Sequence, residues 1–456
     1  MASESPALKT TVLPVDATKI GSLKARTLPT DYLDDLDIEL DPHSADAQHL
    51  RQAAEQLQTS DIPVAFPTET VYGLGADATR SSATRGIYKA KQRPADNPLI
   101  VHFASLQQLR ALLKPVTENS SSDVDEVSKD DPIPSIYKPL IKKFWPGPLT
   151  IILPNPSHSP LAPEVTAGLT TFGARMPRHP LALTLIKLSG VPVAAPSANA
   201  STKPSPTAAE HVAYDLDGRI ETIIDGGPCD VGVESTVVDG LSSPPLILRP
   251  GGISIEQLRD CEGWESTQIG YKDTSEKDSK PKAPGMKYRH YSPKATVVLF
   301  ESGKTAPLWS DMVQYVAASK KIGVIRTKRW TVDAAGKSGP ISQSAAIEAK
   351  NPQQPNGHET SIPGFAGMLQ TIHKQHVQRS VETHEVANVE TGFTLLDVNL
   401  GGNTADIARG VFAALRDLDR QDVDAIFVEG ISDEEGDVAA AVMNRLRKAA
   451  EVKVVA

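Results

Sequence analysis

The chain is poor in cysteine and has no long apolar run, and each of these absences argues against a class of protein. Its 456 residues include two cysteines, Cys229 and Cys261, which are too few for a disulfide framework or a zinc ribbon and fit a reducing compartment. No apolar run approaches the roughly 18–20 residues that span a bilayer, so we expect no membrane segment. The first residues, Met1 to Thr10, lack the apolar core of a secretory signal.

The chain also lacks an excess of positive charge. Its formal net charge is −9, which argues against a strongly basic nucleic-acid binder but leaves a local basic groove open. We therefore expect a cytoplasmic protein. The serine, threonine and basic residues of Lys9 to Thr27 leave a mitochondrial pool open as an alternative.

Common nucleotide and metal signatures are missing as well. No Gly-x-x-x-x-Gly-Lys-Ser/Thr loop occurs, which argues against a P-loop kinase or ATPase. His373 and His376 stand three residues apart on an expected helix, but no set of cysteines or carboxylates completes a zinc site around them. We expect no resident metal.

What is present is the composition of a folded protein of two or three domains. Hydrophobic residues make up 39% and charged residues 23%, so sizeable cores can form and disorder, collagen and coiled coil are excluded for the whole chain. The 36 prolines are about 8% of the residues, against a typical ~5%. Many stand inside apolar stretches, which indicates sharply turned strands as well as linkers.

Changes in composition predict the domain boundaries. Residues 1–43 read as a poorly structured lead-in with a solvated acidic cluster between Asp31 and Asp41, and residues 44–258 read as an α/β domain. A Ser-, Asp- and Glu-rich insertion at 118–134 reads as a surface loop. A polar stretch makes 259–294 a linker, and 295–456 a second domain.

Apolar runs predict the strands of the two domains. A helix is expected from about His43, with Ser44 or Asp46 as its cap. The expected strands of the first domain are Ile62–Phe66, Leu149–Leu153, Val191–Ala195, Thr222–Ile224, Val233–Val238 and Leu246–Leu248. The second domain repeats strand and helix in a doubly wound pattern, with expected strands at Thr296–Phe300, Ile322–Ile325, Thr394–Val398 and Ala425–Val428 and helices around Ile407–Leu418 and Asp437–Ala450.

Two motifs of the first domain carry hydroxyls and cations at strand ends. Pro67–Leu74 holds Thr68, Glu69 and Thr70 after a buried strand, where hydroxyls could bind a carboxylate or an amine and glycines allow close approach. A satisfied strand edge is the plainer alternative.

The second motif, Lys89–Leu99, is basic and stiffened by prolines. Lys91 and Arg93 would project the same way if the segment were extended, and Asn97 offers an amide beside them. Two fixed cations beside an amide donor suit a triphosphate, although a solvated basic loop gives the same pattern. His102 follows on the next strand.

Four further motifs place small or cationic residues at strand ends. Thr171–Pro177 contains Arg175, which could clamp a carboxylate with two parallel hydrogen bonds. Ala194–Ala200 holds Ser197 and Asn199 on one face, with Ser205 downstream. The last two motifs are Gly232–Asp239 and Leu248–Gly252. Together the six motifs describe a ligand crevice in one domain.

These motifs resemble the YrdC-type threonylcarbamoyl-AMP synthases in their two-domain form. The resemblance covers about residues 48–258, the segment Ala283–Pro293 and the C-terminal domain. It implies a YrdC-like α/β domain with a twisted mixed sheet and a ligand crevice, followed by a smaller Rossmann-like, doubly wound domain. The acidic lead-in and the 118–134 insertion are additions that touch no motif.

The resemblance also implies a reaction. The family makes threonylcarbamoyl-AMP from L-threonine, bicarbonate and ATP with release of pyrophosphate, which makes these enzymes nucleotidyltransferases. Mg²⁺ would arrive with the nucleotide. A downstream tRNA threonylcarbamoyl transferase would pass the group to adenosine 37 of tRNA, and any direct tRNA contact would be weak.

Site residues follow from the motifs that match the family. The resemblance implies that five residues bind L-threonine: Thr70, His102, Arg175, Ala195 and Ser235. It implies that nine contact ATP: Lys91, Arg93, Asn97, Thr171, Ser197, Asn199, Ser205, Arg249 and Tyr291. Lys91 and Arg93 would be the catalytic cations, and Tyr291 would bring the linker back as a lid.

Two other functions remain open at this point. One is a tRNA- or double-stranded-RNA-binding protein that uses a concave YrdC-like surface, which the net charge of −9 disfavours. The other is a carbamoyl-transfer module of the hydrogenase-maturation type. Those chains carry zinc-finger segments, which two cysteines cannot supply.

Overall fold

The computed structural model describes residues 8–27, 33–93, 97–114, 131–271, 291–332, 341–343, 381–385 and 392–455. These residues form two compact units. The first holds the described parts of 8–201 and 205–271, and the second holds 202–204 and the described parts of 291–455. Among the described residues, no helix is both long enough and apolar enough to cross a bilayer.

The first unit is built on a mixed sheet of eleven strands, as the resemblance implied. Its strands, with the hairpin pair β2 and β3, are β1 Thr11–Pro14, β2 Gly21–Thr27, β3 Leu33–Leu40, β4 Val64–Phe66, β5 Gly73–Asp77, β6 Ile100–His102, β7 Leu149–Pro154, β8 Thr171–Arg175, β9 Val193–Ala194, β10 Thr222–Asp225, β11 Thr236–Asp239, β12 Leu246–Arg249 and β13 Gln268–Ile269. The sheet order is β1-β10-β4-β5-β9-β6-β8-β7-β11-β12-β13.

Short helices cover this sheet. They are α1 Ala45–Thr59, α2 Ser81–Lys91, α3 Leu106–Leu113, α4 Lys138–Phe144, α5 Pro163–Thr166, α6 Pro180–Ser189, α7 Ala209–Leu216 and α8 Ile255–Arg259. The expected start of α1 is confirmed, because the Ser44 side chain accepts a hydrogen bond from the Ala47 amide and so caps the helix. The buried face of α1, which includes Leu50, Ala53 and Leu57, repeats at helical spacing.

The acidic lead-in is folded where the structure describes it, so the prediction of a loose segment was wrong. β1 pairs in parallel with β10 at the edge of the sheet, and β2 and β3 form a hairpin. Asp35 is buried and lies 2.5 Å from Lys187, and Asp34 lies 2.6 Å from Arg110. Because their cations are distant in sequence, the cluster looked like solvated surface.

Residues 259–271, the start of the expected linker, also belong to the first unit. α8 ends at Arg259, and β13 pairs with β12. Trp264 is fully buried, and its indole nitrogen donates to the Ile136 carbonyl at 2.7 Å. One tryptophan thus anchors a segment whose overall composition is that of a spacer. Residues 272–290, which include most of the segment Ala283–Pro293, lie outside the described residues.

The expected insertion at 118–134 is described only at its end. Asp131 pairs with Arg110 at 3.1 Å, and Ile133 is buried. This end is therefore packed rather than a free loop, because an ion pair and an apolar side chain hold it. Residues 118–130 lie outside the described residues.

The second unit has the doubly wound architecture that the sequence predicts. Its strands are β14 Thr296–Phe300, β15 Lys321–Arg326, β16 Trp330–Val332, β17 Ile341–Gln343, β18 Glu382–Glu385, β19 Thr394–Asn399, β20 Ala425–Glu429 and β21 Val452–Val454. Its helices are α9 Trp309–Val313, α10 Thr404–Arg420 and α11 Asp437–Ala449. The sheet order is β18-β19-β15-β20-β14-β21, in which β18 is antiparallel to β19 and the other pairs are parallel.

A small cleft opens in the second unit, beyond the carboxyl ends of β14, β15 and β20. Its buried carboxylate, Glu429, accepts hydrogen bonds from the amides of Thr327 and Arg329 at 2.7 and 2.6 Å. Lys328 forms an ion pair with Glu435. These charges already have partners within the protein, so the cleft does not indicate a particular ligand.

Candidate active site

Five strand ends of the first unit meet at one edge of the sheet. β6, β8 and β12 finish there with His102, Arg175 and Arg249, while β7 and β11 run the opposite way and begin there, beside Thr150 and Ser235. Arg175 is the register partner of both His102 and Thr150. The predicted threonine-binding residues His102, Arg175 and Ser235 are therefore brought together, as three neighbouring parts of one edge.

Arg175 is held from two sides. Its side chain is 5% exposed, its Nη2 lies 2.8 Å from Glu69 Oε1, and its Nε donates to the Gly147 carbonyl at 3.3 Å. Burial raises the pKa of the Glu69 carboxyl, but the adjacent Arg175 guanidinium outweighs burial and holds that pKa below its usual value. The pair is therefore ionised, a buried cation beside its own counter-ion.

His102 is neutral at physiological pH. Burial, with the charge of Arg175 acting in the same direction, lowers the pKa of its imidazole to about 3. Its Nδ1 is buried, and no described residue forms a hydrogen bond with it. A buried nitrogen of this kind is normally satisfied, so it suits a polar ligand atom.

Ser235 joins the two predicted substrate sites. Its Oγ lies 2.7 Å from Thr150 Oγ1 and accepts a hydrogen bond from Arg249 Nη2 at 3.0 Å. Arg249 Nε also donates to the Ser235 carbonyl at 3.0 Å. A residue predicted to bind threonine, Ser235, is thus hydrogen-bonded to one predicted to bind ATP, Arg249.

Of the remaining threonine-binding predictions, Thr70 follows Glu69, the ion-pair partner of Arg175, whereas Ala195 lies where β6 begins, at the other end of that strand from His102. Thr70 is fully buried, with its Oγ1 2.9 Å from Thr68 Oγ1. The Ala195 amide donates to the Ile100 carbonyl at 2.9 Å, and Gly73 packs beside the Ala195 side chain. Small side chains there keep the backbone accessible to a ligand.

Several of the ATP-binding predictions lie at the other end of β8. Thr171 begins this strand, and Thr171, Gly173 and Arg175 alternate onto one face. Gly173 leaves the middle of that face without a side chain. The strip from Thr171 to Arg175 is about 13 Å long at ~3.3 Å per residue, which gives a crevice with two ends.

Asn97 stands at the ATP end, just before β6 begins. It is fully buried, and within the described part of the chain neither of its amide atoms has a hydrogen-bond partner. Tyr88 holds its backbone in place by donating to the Asn97 carbonyl at 2.9 Å. A buried amide with unused donors and acceptors again indicates a polar ligand.

Lys91 corrects the expectation of an extended basic segment. It ends helix α2, and its ammonium donates to the Ser197 carbonyl, the Asn199 carbonyl at 2.7 Å and Asn199 Oδ1 at 3.3 Å. An ammonium has three donors, so Lys91 secures the Ser197–Asn199 turn. Gln92, with φ of 52°, ends the helix, and Arg93 follows with its amide bonded to the Tyr88 carbonyl at 3.0 Å.

Ser197 and Asn199 share the ATP end, because β9 runs antiparallel to β6 and the chain continues past the point where β6 begins. The Ser197 hydroxyl donates to Asn199 Oδ1 at 2.6 Å. Ser205, by contrast, lies beside Glu234, the residue before Ser235, since its hydroxyl donates to Glu234 Oε1 at 2.5 Å. The ATP-binding predictions therefore divide between the two ends.

Tyr291 belongs to the second unit. Its ring is buried and stacks on Phe412 at a centroid distance of 5.2 Å. Its ATP contact and its role in a lid stay predictions.

Three residues that support the site were assigned no role from the sequence: Glu69, Thr150 and Glu234. Glu69 could have been suspected, because an acidic residue inside a run that reads as buried needs a cationic partner. Thr150 gave no signal, since it stands in an ordinary apolar strand.

The second unit contains a cluster of two carboxylates and an imidazole that could bind a metal ion. In the described segments, the ligand atoms of Glu382, His384 and Asp397 lie within 4.8 Å of one another. Arg326, however, donates to both oxygens of Asp397 at 2.7 and 2.6 Å. A guanidinium already neutralises the buried carboxylate, so the donor set does not favour a cation.

Comparison with known proteins covers both units. Residues 56–251 match the family model described as "Telomere recombination", and residues 253–451 match the one described as "Threonylcarbamoyl-AMP synthase, C-terminal domain". The chain is 45% identical over 424 residues to the threonylcarbamoyl-AMP synthase of Schizosaccharomyces pombe, covering 90% of each chain. It is 40% identical over 415 residues to that of Bacillus subtilis, covering 91% of this chain and 96% of the relative.

A solved structure is similar over nearly the whole chain. The crystal structure of Pyrococcus abyssi Sua5 complexed with L-threonine has 34% sequence identity and a TM-score of 0.65, covering 98% of this chain and 100% of that one. Similarity at this level extends to both units.

Proposed function

This chain belongs to the threonylcarbamoyl-AMP synthase family, and we propose that its crevice makes threonylcarbamoyl-AMP from L-threonine, bicarbonate and ATP, releasing pyrophosphate. The enzyme transfers an AMP group and is therefore a nucleotidyltransferase. The product supplies the threonylcarbamoyladenosine modification of tRNA position 37.

The observation that carries this function is the buried guanidinium of Arg175. Apart from Gly147 and Glu69, no described residue takes a hydrogen bond or ion pair from it, so several of its five donors remain for a ligand. An α-carboxylate is the natural partner, because it accepts two parallel N–H bonds. His102, Thr70 and Ser235 then surround the amine and the side chain of threonine.

The first chemical step joins the threonine nitrogen to the carbon of bicarbonate, and water leaves. The threonine ammonium must first release a proton to solvent, because only the neutral amine can attack, and the resulting carbamate breaks down readily in water. His102 is neutral and Glu69 balances the charge of Arg175, so these three side chains place no net charge beside the amine. The pocket is buried, which keeps water away from the carbamate. Holding the amine and the bicarbonate next to each other lowers the remaining activation barrier.

The second step forms a bond between a carbamate oxygen and the α-phosphorus of ATP, and pyrophosphate leaves. Asn97, Thr171 and the Ser197–Asn199 turn hold the nucleotide at its end of the crevice, with Arg93 on the phosphates. Lys91 contributes mainly by fixing that turn. Mg²⁺ arrives with ATP and offsets phosphate charge.

Arg249 and Ser205 occupy the place where the two substrates meet. Arg249 is bonded to Ser235 and Ser205 to Glu234, the preceding residue. A cation there stabilises charge on the α-phosphate as the new bond forms. These assignments divide the site into a carboxylate end, a nucleotide end and a junction.

The partners follow from the chemistry of the product. A mixed carbamic–phosphoric anhydride is reactive, so a tRNA threonylcarbamoyl transferase must consume it soon after release. We place the reaction in the cytoplasm, which is supported by two buried cysteines that are free thiols. A mitochondrial pool remains a secondary proposal.

The test is pyrophosphate release with each substrate omitted in turn. We expect release only when ATP, L-threonine and bicarbonate are all present, with threonylcarbamoyl-AMP identified by mass spectrometry. Turnover without tRNA separates this function from an RNA-binding role. Salt-sensitive tRNA binding without pyrophosphate release would overturn the proposal.

A further inference from the structure

Glu69 is a buried charged group in the crevice to which neither the sequence motifs nor the proposed reaction gives a role. It follows β4 and is 1% exposed. We propose that Glu69 is a positioning residue, which orients Arg175 to receive the carboxylate of L-threonine. This inference rests on the proposed function, because it assigns Arg175 to that carboxylate.

Both oxygens of Glu69 hold the segment that carries Arg175. Oε1 lies 2.8 Å from Arg175 Nη2, and Oε2 accepts a hydrogen bond from the Arg178 amide at 3.1 Å. One carboxylate therefore fixes the side chain at the end of β8 and the backbone three residues later. Its own backbone is held too, because the Glu69 carbonyl accepts from the Val231 amide at 2.8 Å.

Two contacts restrain the orientation of the Arg175 guanidinium. Nη2 forms the ion pair with Glu69 and Nε donates a hydrogen bond to the Gly147 carbonyl, so the guanidinium cannot rotate without losing one of these two contacts. Its remaining donors keep a single direction. Preorganisation of this kind removes the entropy that a free arginine would lose when substrate binds.

Glu69 also compensates the buried charge of Arg175. Arg175 and Glu69 side chains are 5% and 2% exposed, and a buried cation without a counter-ion is strongly unfavourable. Without Glu69, the guanidinium would move toward water or toward backbone carbonyls. The substrate carboxylate would then have to reorder it at every turnover.

Glutamine cannot replace this carboxylate, although it has the same shape. Glu69 uses both oxygens: Oε1 forms the ion pair with Arg175, and Oε2 accepts a hydrogen bond from the Arg178 amide. A glutamine offers one acceptor and one donor, so one of those two donors would face an N–H group. Aspartate keeps the charge but is one methylene too short to reach both partners.

The first experiment is steady-state kinetics of the full-length Glu69→Gln enzyme. We expect the KM for L-threonine to rise at least 10-fold, while the KM for ATP changes less than 2-fold. Glu164→Gln is the matched control. Glu164 also pairs with an arginine, Arg85, at 2.8 Å, but neither residue belongs to the crevice, so its KM values should match the wild type.

A ligand without the carboxylate separates positioning from general loosening. L-threonine and L-threoninamide differ at the group that Arg175 binds. The wild-type enzyme should bind threonine much more tightly than the amide by titration calorimetry. In Glu69→Gln this preference should fall at least 3-fold. A purely structural role for Glu69 would weaken both ligands equally and keep the ratio.

Each outcome decides the matter. An unchanged threonine KM, or an unchanged threonine-to-amide ratio, in folded Glu69→Gln would overturn the proposal. If that variant fails to fold, as judged by near-ultraviolet circular dichroism, Glu69→Asp replaces it, with the same ratio as readout. Failure of the proposed function looks different, because the wild type itself would then show no threonine-dependent pyrophosphate release.

Discussion

The hydroxyl of Ser235 has a single proton, and its neighbours decide where that proton points. An arginine can only donate, so Arg249 occupies one of the two acceptor positions on Ser235 Oγ. If Thr150 also donates, across 2.7 Å, both acceptor positions are filled. The Ser235 proton must then be directed to the ligand, which makes Ser235 a donor to substrate oxygen.

Removal of the Thr150 hydroxyl tests this arrangement. In Thr150→Val, we expect the threonine KM to rise about 3- to 10-fold, because Ser235 regains freedom to turn away, in line with ~1 kcal/mol for a hydrogen bond. The measurement is threonine-dependent pyrophosphate release.

Thr222→Val is the control for that variant. Thr222 is also a buried strand threonine, bonded to Gln56 at 2.6 Å, but it lies on β10 away from the crevice. It should lose stability with an unchanged threonine KM. A threonine KM at the wild-type value in both variants would show that Thr150 does not direct Ser235.

Two buried histidines link stability to pH. Burial is the main cause that lowers the pKa of His102 to about 3, and it likewise lowers the pKa of His179 to about 4. Both would titrate near 6.5 in the unfolded chain. Because the unfolded state binds these protons first, stability is fully present above pH 6.5 and falls as the pH drops toward 4.

The free energy of unfolding of the first unit should therefore fall by about 2 kcal/mol per histidine between pH 7.5 and pH 5. Denaturant titrations at the two pH values measure it. His179→Asn should remove one share of this loss. His179 caps α6 by accepting from the Leu181 amide at 3.3 Å, and asparagine is a good N-cap that does not titrate in this range. An equal pH dependence in wild type and variant would exclude His179 as a source.

Site residues that stand in a recognisable local motif could be predicted from the sequence. Residues whose role depends on a contact with a residue distant in sequence could not. Arg175 stands two residues after Gly173 and two before Pro177, and in the structure it lies at a strand end beside His102. The pairing of Glu69 with Arg175 depends on strand order, which no local pattern encodes. For the same reason Lys91 was expected on an extended segment, while its ammonium secures a distant turn.

At the scale of elements, long apolar strands were predictable and short edge strands were not. The expected strands at Leu149–Leu153 and Leu246–Leu248 correspond to β7 and β12. β1 and β13 were missed, because four and two residues with mostly exposed side chains carry no period. They exist because a neighbouring strand offers its free edge.

β1 should protect such an edge. Its register with β10 runs from Thr11 with Thr222 to Pro14 with Asp225. Deletion of residues 1–14 exposes the β10 edge, so we expect the melting temperature of the first unit to fall by about 2–6 °C and light scattering on heating to increase.

Deletion of residues 1–7 alone is the matched control, since it leaves β1 intact. Neither deletion removes a residue of the crevice, so pyrophosphate release at 25 °C should persist in both. Equal melting temperatures for the two deletions would mean that β1 does not stabilise the sheet.

At the scale of the whole molecule, each unit has its own sheet and its own tryptophans. Trp145 and Trp264 are buried in the first unit, and Trp309 and Trp330 pack in the core of the second. The four tryptophans of the chain are thus divided equally. Each pair can be removed by substitution with phenylalanine, which leaves fluorescence from one unit only.

Threonine should stabilise the first unit alone. At 100 times its Kd, a ligand that binds only the native state adds about 2.7 kcal/mol. In the variant that retains Trp145 and Trp264, threonine should raise the melting temperature. In the variant that retains Trp309 and Trp330, the transition should not move. An equal shift in both would show that the two units unfold as one.

The three residues Thr202–Pro204 belong to the second unit, although the chain on both sides belongs to the first. The Ser292 amide donates to the Thr202 carbonyl at 2.9 Å, and Arg416 donates to the Pro204 carbonyl. Ser205 of the crevice is the next residue. In genetic terms, two separately expressed fragments that each carry one unit should then fail to complement each other. A chain split between residues 271 and 291 places Thr202–Pro204 on the first fragment, whereas Ser292 and Arg416, which bind them, are on the second.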